Sequence, residues 1–500
     1  MGLGCMEGTR RLLLGQIEAW VSNKLGQKDH SNTFCIYGSP GIGKTSLAHS
    51  ICEILHASGN LAAAFFCRRD DPVLRDPRYL LSTLIYKLSV SFPSFRRVVA
   101  ERLRNDPHLT PEVMSHTHFL GFIRLIPHPP NHTLVFVIDA LDECGDGRSR
   151  SGILRALMGA AAQAPWLKVI ITCRPEADIQ HSLNAFALPS YLRYDLATDQ
   201  EANADLQIFA RRVFDSVASR WHLQTPWPEE SLFNAIISRA NGNFIFIKTV
   251  ALALEQSRDP TETLKATLRG SEGTLYSLYS SILRTRVPPG DPRFQQVIGV
   301  LLVTGPYRPL HAETIAELAG VGPNLVNKWV DDLSSLLYRD EEANGAIRVR
   351  QSSISDFFIS DYCHRDYQIN LQEANEQLSV ACFQIMVDQL RFNICKLDDS
   401  LLANADIEDL PSRIEQNISD ALQYSSLYWS NHLCFTPNNR HPLVWGHLKK
   451  FFEGPYPLFW IEVLSMTGMV AIGAPSLQRV VSWLKVSTIP AYPLDTRRRF

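Results

Sequence analysis

A glycine-rich stretch near residue 40 ends in a lysine and a hydroxyl residue. Residues 38–45 have the sequence Gly-Ser-Pro-Gly-Ile-Gly-Lys-Thr and match the pattern G-x-x-x-x-G-K-[ST]. Glycines let backbone N–H groups turn inward around phosphate oxygens, and a following helix N-terminus adds partial positive charge. In this pattern the lysine reaches the β- and γ-phosphates of a nucleoside triphosphate, and the hydroxyl ligates Mg²⁺. The predicted phosphate-binding residues are Gly38, Ser39, Pro40, Gly41, Ile42, Gly43, Lys44, Thr45 and Ser46.

An acidic cluster directly follows the apolar run 134–138, Leu-Val-Phe-Val-Ile. A carboxylate at the end of a buried strand is costly unless it serves a site, so we predict that Asp139 holds the Mg²⁺ with Thr45. Asp142 and Glu143 follow closely, beside the predicted γ-phosphate, and Glu143 is the predicted base for the attacking water. The alternative is that Asp142 and Glu143 cap the next helix.

An arginine follows a second apolar run. Residues 168–175 have the sequence Lys-Val-Ile-Ile-Thr-Cys-Arg-Pro, which predicts a strand ending just before Arg174. The carboxyl ends of parallel strands face the ligand crevice, so we predict that Arg174 senses the γ-phosphate. The predicted catalytic groups are therefore Asp142, Glu143 and Arg174. The alternative for Arg174 is a surface ion pair with a carboxylate.

The glycine-rich stretch, the acidic cluster and Arg174 each follow an apolar run, and a single sheet formed by these runs would bring them together. Apolar runs separated by helical patterns predict a parallel sheet with crossover connections. The predicted strands are 33–37, 62–67, 134–138, 168–172 and 191–196. Because the run 134–138 is continuously apolar, we expect a strand buried on both faces.

Helical patterns dominate from residue 200 onward. The predicted helices are 201–218, 229–239, 244–256, 275–286, 293–304, 311–319 and 323–337. The stretch 288–292, Pro-Pro-Gly-Asp-Pro, marks a boundary, and an Asn344-Gly345 turn predicts a hairpin. Three helices and a hairpin indicate a winged-helix-like domain. The predicted fold is an α/β P-loop NTPase core, with a parallel sheet flanked by helices, followed by a helical lid, this domain and a helical C-terminal region.

Composition excludes several classes of protein. Lys and Arg number 49 against 51 Asp and Glu, so no global basic field would recruit nucleic acid or an anionic membrane. The ten cysteines contain no C-x-x-C pair, which favours reduced thiols in a cytoplasmic protein. The longest apolar run, 458–475, contains Glu462 and is short for a membrane span. We expect it to form a buried core helix.

The three stretches together resemble a NACHT-type NTPase of the signal-transducing STAND class. The sequences GSPGIGKTS, LVFVIDALDEC and VIITCRPE are most similar to those of fungal members, whose P-loop domain resembles the N-terminal domain of nephrocystin-3-like proteins. Residues 8–10 resemble the strap before the core, residues 240–244 resemble the A-x-G-x-F segment of the lid, and residues 351–357 resemble the end of the winged helix. The resemblance implies a strap at 1–30, a core at 31–198, a lid at 199–287, a winged-helix-like domain at 288–366 and a helical region at 367–500.

The resemblance also implies a switch. A bound diphosphate would hold the lid shut, and a γ-phosphate sensed by Arg174 would favour an open form that self-associates. Slow hydrolysis would reset the switch in a signalling or defence-like, cell-death-like pathway. The implied cofactors are ATP, with GTP left open, and Mg²⁺. Asn327-Lys328 is followed by Trp and Val, so the guanine motif N-K-x-D is absent there.

Two departures from the family bear on partners and control. Many relatives carry a histidine where this chain has Gln351, whose amide can donate a hydrogen bond but cannot become cationic. We therefore expect a weaker closed-state latch. Relatives also carry an effector domain before the core and repeats after it. This chain starts close to the strap and ends in 497–500, Arg-Arg-Arg-Phe, so we expect separate effector or sensor proteins or a shortened member.

Two other functions compete with the switch. A DNA-associated ATPase of the origin-recognition type also combines a P-loop core with a winged helix. Its recognition helix would be 323–337, where Lys328 is outnumbered by Asp331 and Asp332, so binding to DNA phosphates is disfavoured and no nucleic-acid partner is expected. A small-molecule kinase is disfavoured by the long helical remainder of the chain.

Overall fold

The structure is a computed structural model in which the chain forms two compact units. The described residues are 4–22, 31–106, 108–110, 114–126, 132–185, 191–199, 201–270, 273–398, 402–436 and 442–485. Unit 1 comprises Met1–Ile282, Ser334–Leu336 and Arg350–Ile354, and unit 2 comprises Leu283–Leu333, Leu337–Val349 and Ser355–Phe500. Parts of the predicted strap, 1–3 and 23–30, and the terminal 497–500 lie outside the described residues. The five-part division of the chain remains a prediction.

Unit 1 is built on a parallel sheet of five strands in the order β2-β3-β4-β1-β5. The strands are β1 Thr33–Tyr37, β2 Leu61–Phe66, β3 Leu134–Asp139, β4 Leu167–Cys173 and β5 Leu192–Asp195. In register, Tyr37 pairs with Cys173 and Phe66 pairs with Asp139. The predicted parallel sheet is therefore confirmed. Its register brings the carboxyl ends of β1, β3 and β4 to one edge.

Helices cover both faces of this sheet. They are α1 Arg11–Val21, α2 Lys44–Ala57, α3 Pro77–Ser91, α4 Pro93–Asn105, α5 His116–Arg124, α6 Gly147–Gln163 and α7 Ala177–Asn184. Alternate strand residues point to opposite faces. Val135 and Val137 belong to the core shared with α1 and α2, whereas Phe136 and Ile138 belong to the core shared with α3, α5 and α6. Because both faces are covered, β3 is apolar at every position before Asp139.

Five more helices follow the sheet along the chain. They are α8 Ala202–Arg220, α9 Glu230–Ala240, α10 Phe244–Glu255, α11 Pro260–Gly270 and α12 Leu275–Arg286. Four lie within two residues of their predicted bounds, and α11 was not predicted. The sequence nevertheless carries signals for the start of α11. The Asp259 carboxylate accepts hydrogen bonds from the N–H groups of Thr261 and Glu262, and a proline occupies the first helical position.

Unit 2 begins with three helices and a hairpin. They are α13 Pro292–Thr304, α14 Ala312–Ala319, α15 Pro323–Asp332, β6 Leu337–Asp340 and β7 Ala346–Val349. Asn344 and Gly345 form the hairpin turn with positive φ, as predicted. The predicted helix 323–337 was too long, because the chain leaves the helix after Asp332 and enters β6 at Leu337. The classification of this set as a winged helix remains a prediction.

Most of the described residues from 352 onward are helical, as predicted. The helices are α16 Ser352–Ile359, α17 Leu371–Gln389, α18 Leu410–Asn417, α19 Asp420–Cys434, α20 Pro442–Glu453, α21 Tyr456–Met466 and α22 Gly473–Lys485. The prediction of one buried helix over 458–475 was wrong. Gly468, with positive φ, follows the end of α21, and Leu458 is 70% exposed whereas Trp460 is buried. Across the described ranges, no helix is long and apolar enough to cross a membrane.

Candidate functional site

The predicted phosphate-binding loop connects β1 to α2, which begins at Lys44. Gly41 and Gly43 have φ values of 86° and 96°, a region that side chains disfavour. A Cβ on Gly41 would also lie 2.4 Å from Asn243 Oδ1, and a Cβ on Gly38 would lie 2.6 Å from Ile42 Cγ2. The glycines of the motif are thus required by backbone conformation at two positions and by close packing at Gly38 and Gly41.

Residues at the N-terminus of α10 donate hydrogen bonds to the backbone of this loop. Asn243 Nδ2 donates to Pro40 O at 3.0 Å, and the backbone N–H of Phe244 donates to Gly41 O at 3.0 Å. Asn243 Oδ1 meanwhile accepts from Phe246 N at 3.0 Å and caps α10. The segment that resembles the family's lid motif therefore contacts the loop directly. Asn243 was not predicted to have this role.

Lys44 lies among the loop carbonyls and the acidic residues of the site. Its Nζ donates to Gly38 O at 2.7 Å and to Ser39 O at 3.0 Å. Burial lowers the pKa of Lys44, while the charges of Asp142 and Asp139 act to raise it. An ammonium has three N–H groups, so these two bonds leave a third that can meet an anionic oxygen.

Asp139 and Thr45, the two predicted Mg²⁺ ligands, are brought together. Thr45 Oγ1 donates to Asp139 Oδ2 at 2.8 Å, and Thr172 Oγ1 donates to Asp139 Oδ1 at 2.5 Å. Asp139 is 2% exposed, and this burial raises its pKa against the effects of both hydroxyls and of Lys44. A carboxylate beside a hydroxyl is a hard-oxygen set that fits Mg²⁺. Thr172 was missed, although a hydroxyl within an apolar strand was a visible signal.

Asp142 pairs with Arg174. The backbone N–H of Arg174 donates to Asp142 Oδ1 at 2.9 Å, and Arg174 Nε lies 3.1 Å from Asp142 Oδ2. The Arg174 side chain is only 13% exposed, so this is not a surface pair. Nor do Asp142 and Glu143 cap the next helix, because Asp146 caps α6 through Ser149 N. Asp142 therefore orients the guanidinium of Arg174.

Glu143 has donors on several sides. Its Oε2 accepts from Arg69 N at 3.2 Å, its carboxylate hydrogen-bonds the Ser352 hydroxyl, and its Oε1 lies 4.0 Å from Arg174 Nη2. Burial raises the pKa of Glu143, the Ser352 bond lowers it, Asp142 raises it and Arg69 lowers it. A raised carboxyl pKa suits a general base, which works best when its pKa approaches the working pH.

Ser352 is the third residue of the site, after Asn243 and Thr172, that was not predicted from the sequence. Its Oγ accepts from Arg174 Nη2 at 2.9 Å. Ser352 belongs to unit 1, within the short segment Arg350–Ile354. Its neighbour Gln351, the position of the expected latch, is half-buried, and its carbonyl accepts from Ile354 N at 3.0 Å. The role expected for the Gln351 amide remains a prediction.

Arg10, in the predicted strap, contacts the same loop. It is 3% exposed, and its Nη2 donates to Ile42 O at 3.0 Å. Its guanidinium also pairs with Asp199 and lies 3.7 Å, at Nε, from Asp205 Oδ2. A buried arginine needs such partners. The Arg10 side chain therefore links the predicted strap, the predicted phosphate-binding loop and the start of α8.

Known proteins resemble parts of this chain. Residues 8–174, less than half of the chain, match the family described as Nephrocystin 3, N-terminal. No curated protein matches. Among solved structures, a Walker-type ATPase of Pyrococcus abyssi is 12% identical over 70% of this chain and 95% of its own, with a TM-score of 0.35.

Two further solved structures are similar at the same level. Cdc6p from Pyrobaculum aerophilum is 13% identical over 71% of this chain and 94% of its own, with a TM-score of 0.34. The Aeropyrum pernix Orc1 protein in complex with DNA is 12% identical over 72% and 94%, with a TM-score of 0.32. The chain has a P-loop NTPase fold, and its residues 8–174 are similar to the nephrocystin 3 N-terminal family.

Proposed function

We propose that this chain is a nucleotide-binding switch of the NACHT/STAND type, which binds ATP with Mg²⁺ and hydrolyses it slowly. One observation carries the proposal. The ends of three adjacent strands bring Lys44, the Thr45–Asp139 pair and the Glu143–Arg174 pair to one edge of the sheet. These groups have the chemistry for phosphate binding, metal binding and water activation respectively.

Binding would use the loop and the residues that follow it. The loop N–H groups and the N-terminus of α2 would receive the phosphates, and the Lys44 ammonium would meet the β- and γ-phosphates. Asp139 and Thr45 would hold Mg²⁺, which when bound neutralises charge on the phosphate oxygens. Arg174, oriented by Asp142, would contact the γ-phosphate.

Hydrolysis would need a base near the γ-phosphate. Glu143 would take a proton from the attacking water as the water oxygen bonds to the γ-phosphorus. The bond from that phosphorus to the β–γ bridging oxygen breaks, and ADP departs with that oxygen. The raised pKa of Glu143 makes its carboxylate a stronger proton acceptor. It also lowers the fraction of Glu143 that is ionised at acidic pH.

The output we propose is self-association in the triphosphate-bound form, in a signalling or defence-like, cell-death-like pathway with separate effector or sensor proteins. GTP remains the alternative nucleotide. We propose no nucleic-acid partner, because α15 carries Lys328 against Asp331 and Asp332. The ten cysteines are free thiols, as suits a cytoplasmic location.

The test is nucleotide binding and size-exclusion chromatography of the full chain. The parent should bind ATP with Mg²⁺ and elute earlier with a non-hydrolysable ATP analogue than with ADP. Lys44→Ala should lose binding and show no shift, because it removes the charge that meets the phosphates. Equal ATP affinity in the variant and the parent would rule out the phosphate-loop assignment. A duplex-DNA shift with no effect of ATP on size would favour the origin-recognition alternative.

A further inference from the structure

The Ser352 hydroxyl joins two groups of the candidate site. Arg174 can only donate hydrogen bonds, so the bond between Arg174 Nη2 and Ser352 Oγ makes the serine oxygen an acceptor. The single hydroxyl proton is then available for the Glu143 carboxylate, whose pKa is lowered by hydrogen bonding with the Ser352 side chain. The chain of bonds therefore runs from Arg174 through Ser352 to Glu143.

The Ser352 hydroxyl oxygen lies beside Glu143 and Arg174, the two groups that the attacking water would also have to contact. Arg174 Nη2 and Glu143 Oε1 are 4.0 Å apart, and the serine hydroxyl bonds both side chains. The attacking water must donate a proton to Glu143 beside the group that senses the γ-phosphate. A hydroxyl that donates to Glu143 and accepts from Arg174 has the same bonding pattern as that water.

The backbone around Ser352 is fixed from other directions. Ser353 Oγ bonds Tyr279 Oη at 3.0 Å, Arg350 Nε donates to Ser334 O at 2.6 Å, and Ile354 is 1% exposed. Ser352 is thus presented by an anchored segment and is not a side chain on a loose loop. An anchored hydroxyl competes with water more effectively than a mobile one, since its ordering entropy is already lost.

We propose that Ser352 is an inhibitory stop, whose hydroxyl occupies the position of the attacking water between Glu143 and Arg174. The inference rests on the proposed function and adds a regulatory contact to the same site. Hydrolysis requires Ser352 to leave Glu143, so any event that withdraws the segment Arg350–Ile354 accelerates turnover. The latch expected at Gln351 is then supplied, at least for hydrolysis, by the next residue.

The decisive variant is Ser352→Ala in the full chain, with Ser353→Ala as the matched control. Ser353 lies in the same anchored segment but bonds Tyr279 instead of Glu143. Ser352→Ala should raise the turnover of ATP about tenfold, roughly the effect of one hydrogen bond to a charged group. Ser353→Ala removes one contact that anchors the segment but keeps the Ser352 hydroxyl, so its turnover should rise less than that of Ser352→Ala. The double variant Glu143→Gln with Ser352→Ala should show no gain, because the freed base is missing.

A pH profile separates this role from a merely structural one. The charged groups that face Glu143 are Asp142, Arg69 and Arg174, and none is altered in Ser352→Ala. Loss of the serine donor removes a bond that lowers the Glu143 pKa. The acid limb of turnover should therefore move to higher pH in Ser352→Ala and stay in place in Ser353→Ala.

The outcomes distinguish the inference from the proposed function. If the parent binds the ATP analogue but Ser352→Ala turns over ATP no faster, or more slowly, the inhibitory stop is wrong. An acceleration without a shift of the acid limb would also overturn it, since Glu143 would not be the group released. If the parent binds no nucleotide, the proposed function itself is wrong. This outcome is measured on the parent alone, before any variant is made.

Discussion

At the scale of single residues, Glu143, the proposed general base, offers a test of whether the site hydrolyses ATP or only binds it. Its carboxylate accepts from Arg69 N and bonds Ser352, and a glutamine side chain can still accept from these donors. Glu143→Gln should therefore retain ATP affinity while turnover falls by about 10²–10⁴, the usual contribution of a general base. Equilibrium binding and phosphate release measure the two effects.

The control for this variant is Glu53→Gln, which removes an exposed carboxylate from α2. Its turnover should match that of the parent. Because burial raises the pKa of Glu143, turnover of the parent should fall as pH drops through a value above the ordinary carboxyl range. If Glu143→Gln keeps turnover within about tenfold of the parent, another group activates the water.

Residues within one motif were predictable, and residues that reach the site from elsewhere were not. Lys44 and Thr45 stand in a local pattern, and Asp139 ends an apolar strand, so their positions follow from short-range sequence. Asn243 contacts Pro40 across 203 positions, and Ser352 contacts Arg174 across 178. Contacts at such separations are set by tertiary packing, which leaves no local pattern to read.

At the scale of elements, α10 supports the proposed phosphate-binding loop through the side-chain amide of Asn243. Asn243 both caps the helix and donates to Pro40 O, and aspartate can do only the first. Asn243→Asp should therefore keep the cap, lose about 1 kcal/mol of stability with the Pro40 bond, and weaken nucleotide binding about tenfold through charge repulsion. Asn243→Ala should lose about 2 kcal/mol, because the cap is lost as well.

Chemical unfolding and nucleotide titration check the two variants of Asn243. The informative comparison is their order, since the alanine variant should be the less stable and the aspartate variant the weaker binder. If both variants bind nucleotide as tightly as the parent, the bond from α10 does not shape the loop.

Helices and strands were predictable where one hydrophobic pattern runs through the whole element. A boundary was misplaced where a helical pattern runs directly into a strand pattern. Strands β1 to β4 are apolar at most positions because helices cover both faces of the sheet, and this signal is strong. The end of α15 was misplaced because Leu333, Leu336 and Leu337 are all buried across the change from helix to strand. Because residues on both sides of this boundary are buried, the apolar pattern continues from the helix into the strand. Hydrophobic periodicity alone therefore could not locate the end of α15.

At the scale of the whole molecule, a buried histidine in unit 2 makes stability depend on pH. His432 of α19 is completely buried, its Nε2 lies 2.8 Å from Tyr424 Oη, and its Nδ1 lies 2.9 Å from Asn375 Oδ1. Asn375 Nδ2 donates to Leu371 O at 2.7 Å, which leaves Oδ1 as the acceptor of the histidine proton. Nε2 then accepts from the tyrosine hydroxyl, so the ring is neutral with both nitrogens bonded.

Burial lowers the pKa of His432 from 6.5 to about 3, and this shift has a definite sign for stability. Between these values the unfolded chain binds a proton that the folded chain does not, so the free energy of unfolding falls as pH drops below 6.5. The slope approaches about 1.4 kcal/mol per pH unit, which amounts to about 2 kcal/mol at pH 5. His432→Gln should be less stable than the parent at pH 7.5 but should lose this part of the slope, whereas His56→Gln, an exposed position on α2, should keep it. Urea unfolding at pH 7.5, 6.5, 5.5 and 5.0 measures the slopes, and parallel curves for the parent and His432→Gln would mean that His432 titrates in the folded state as it does in the unfolded one.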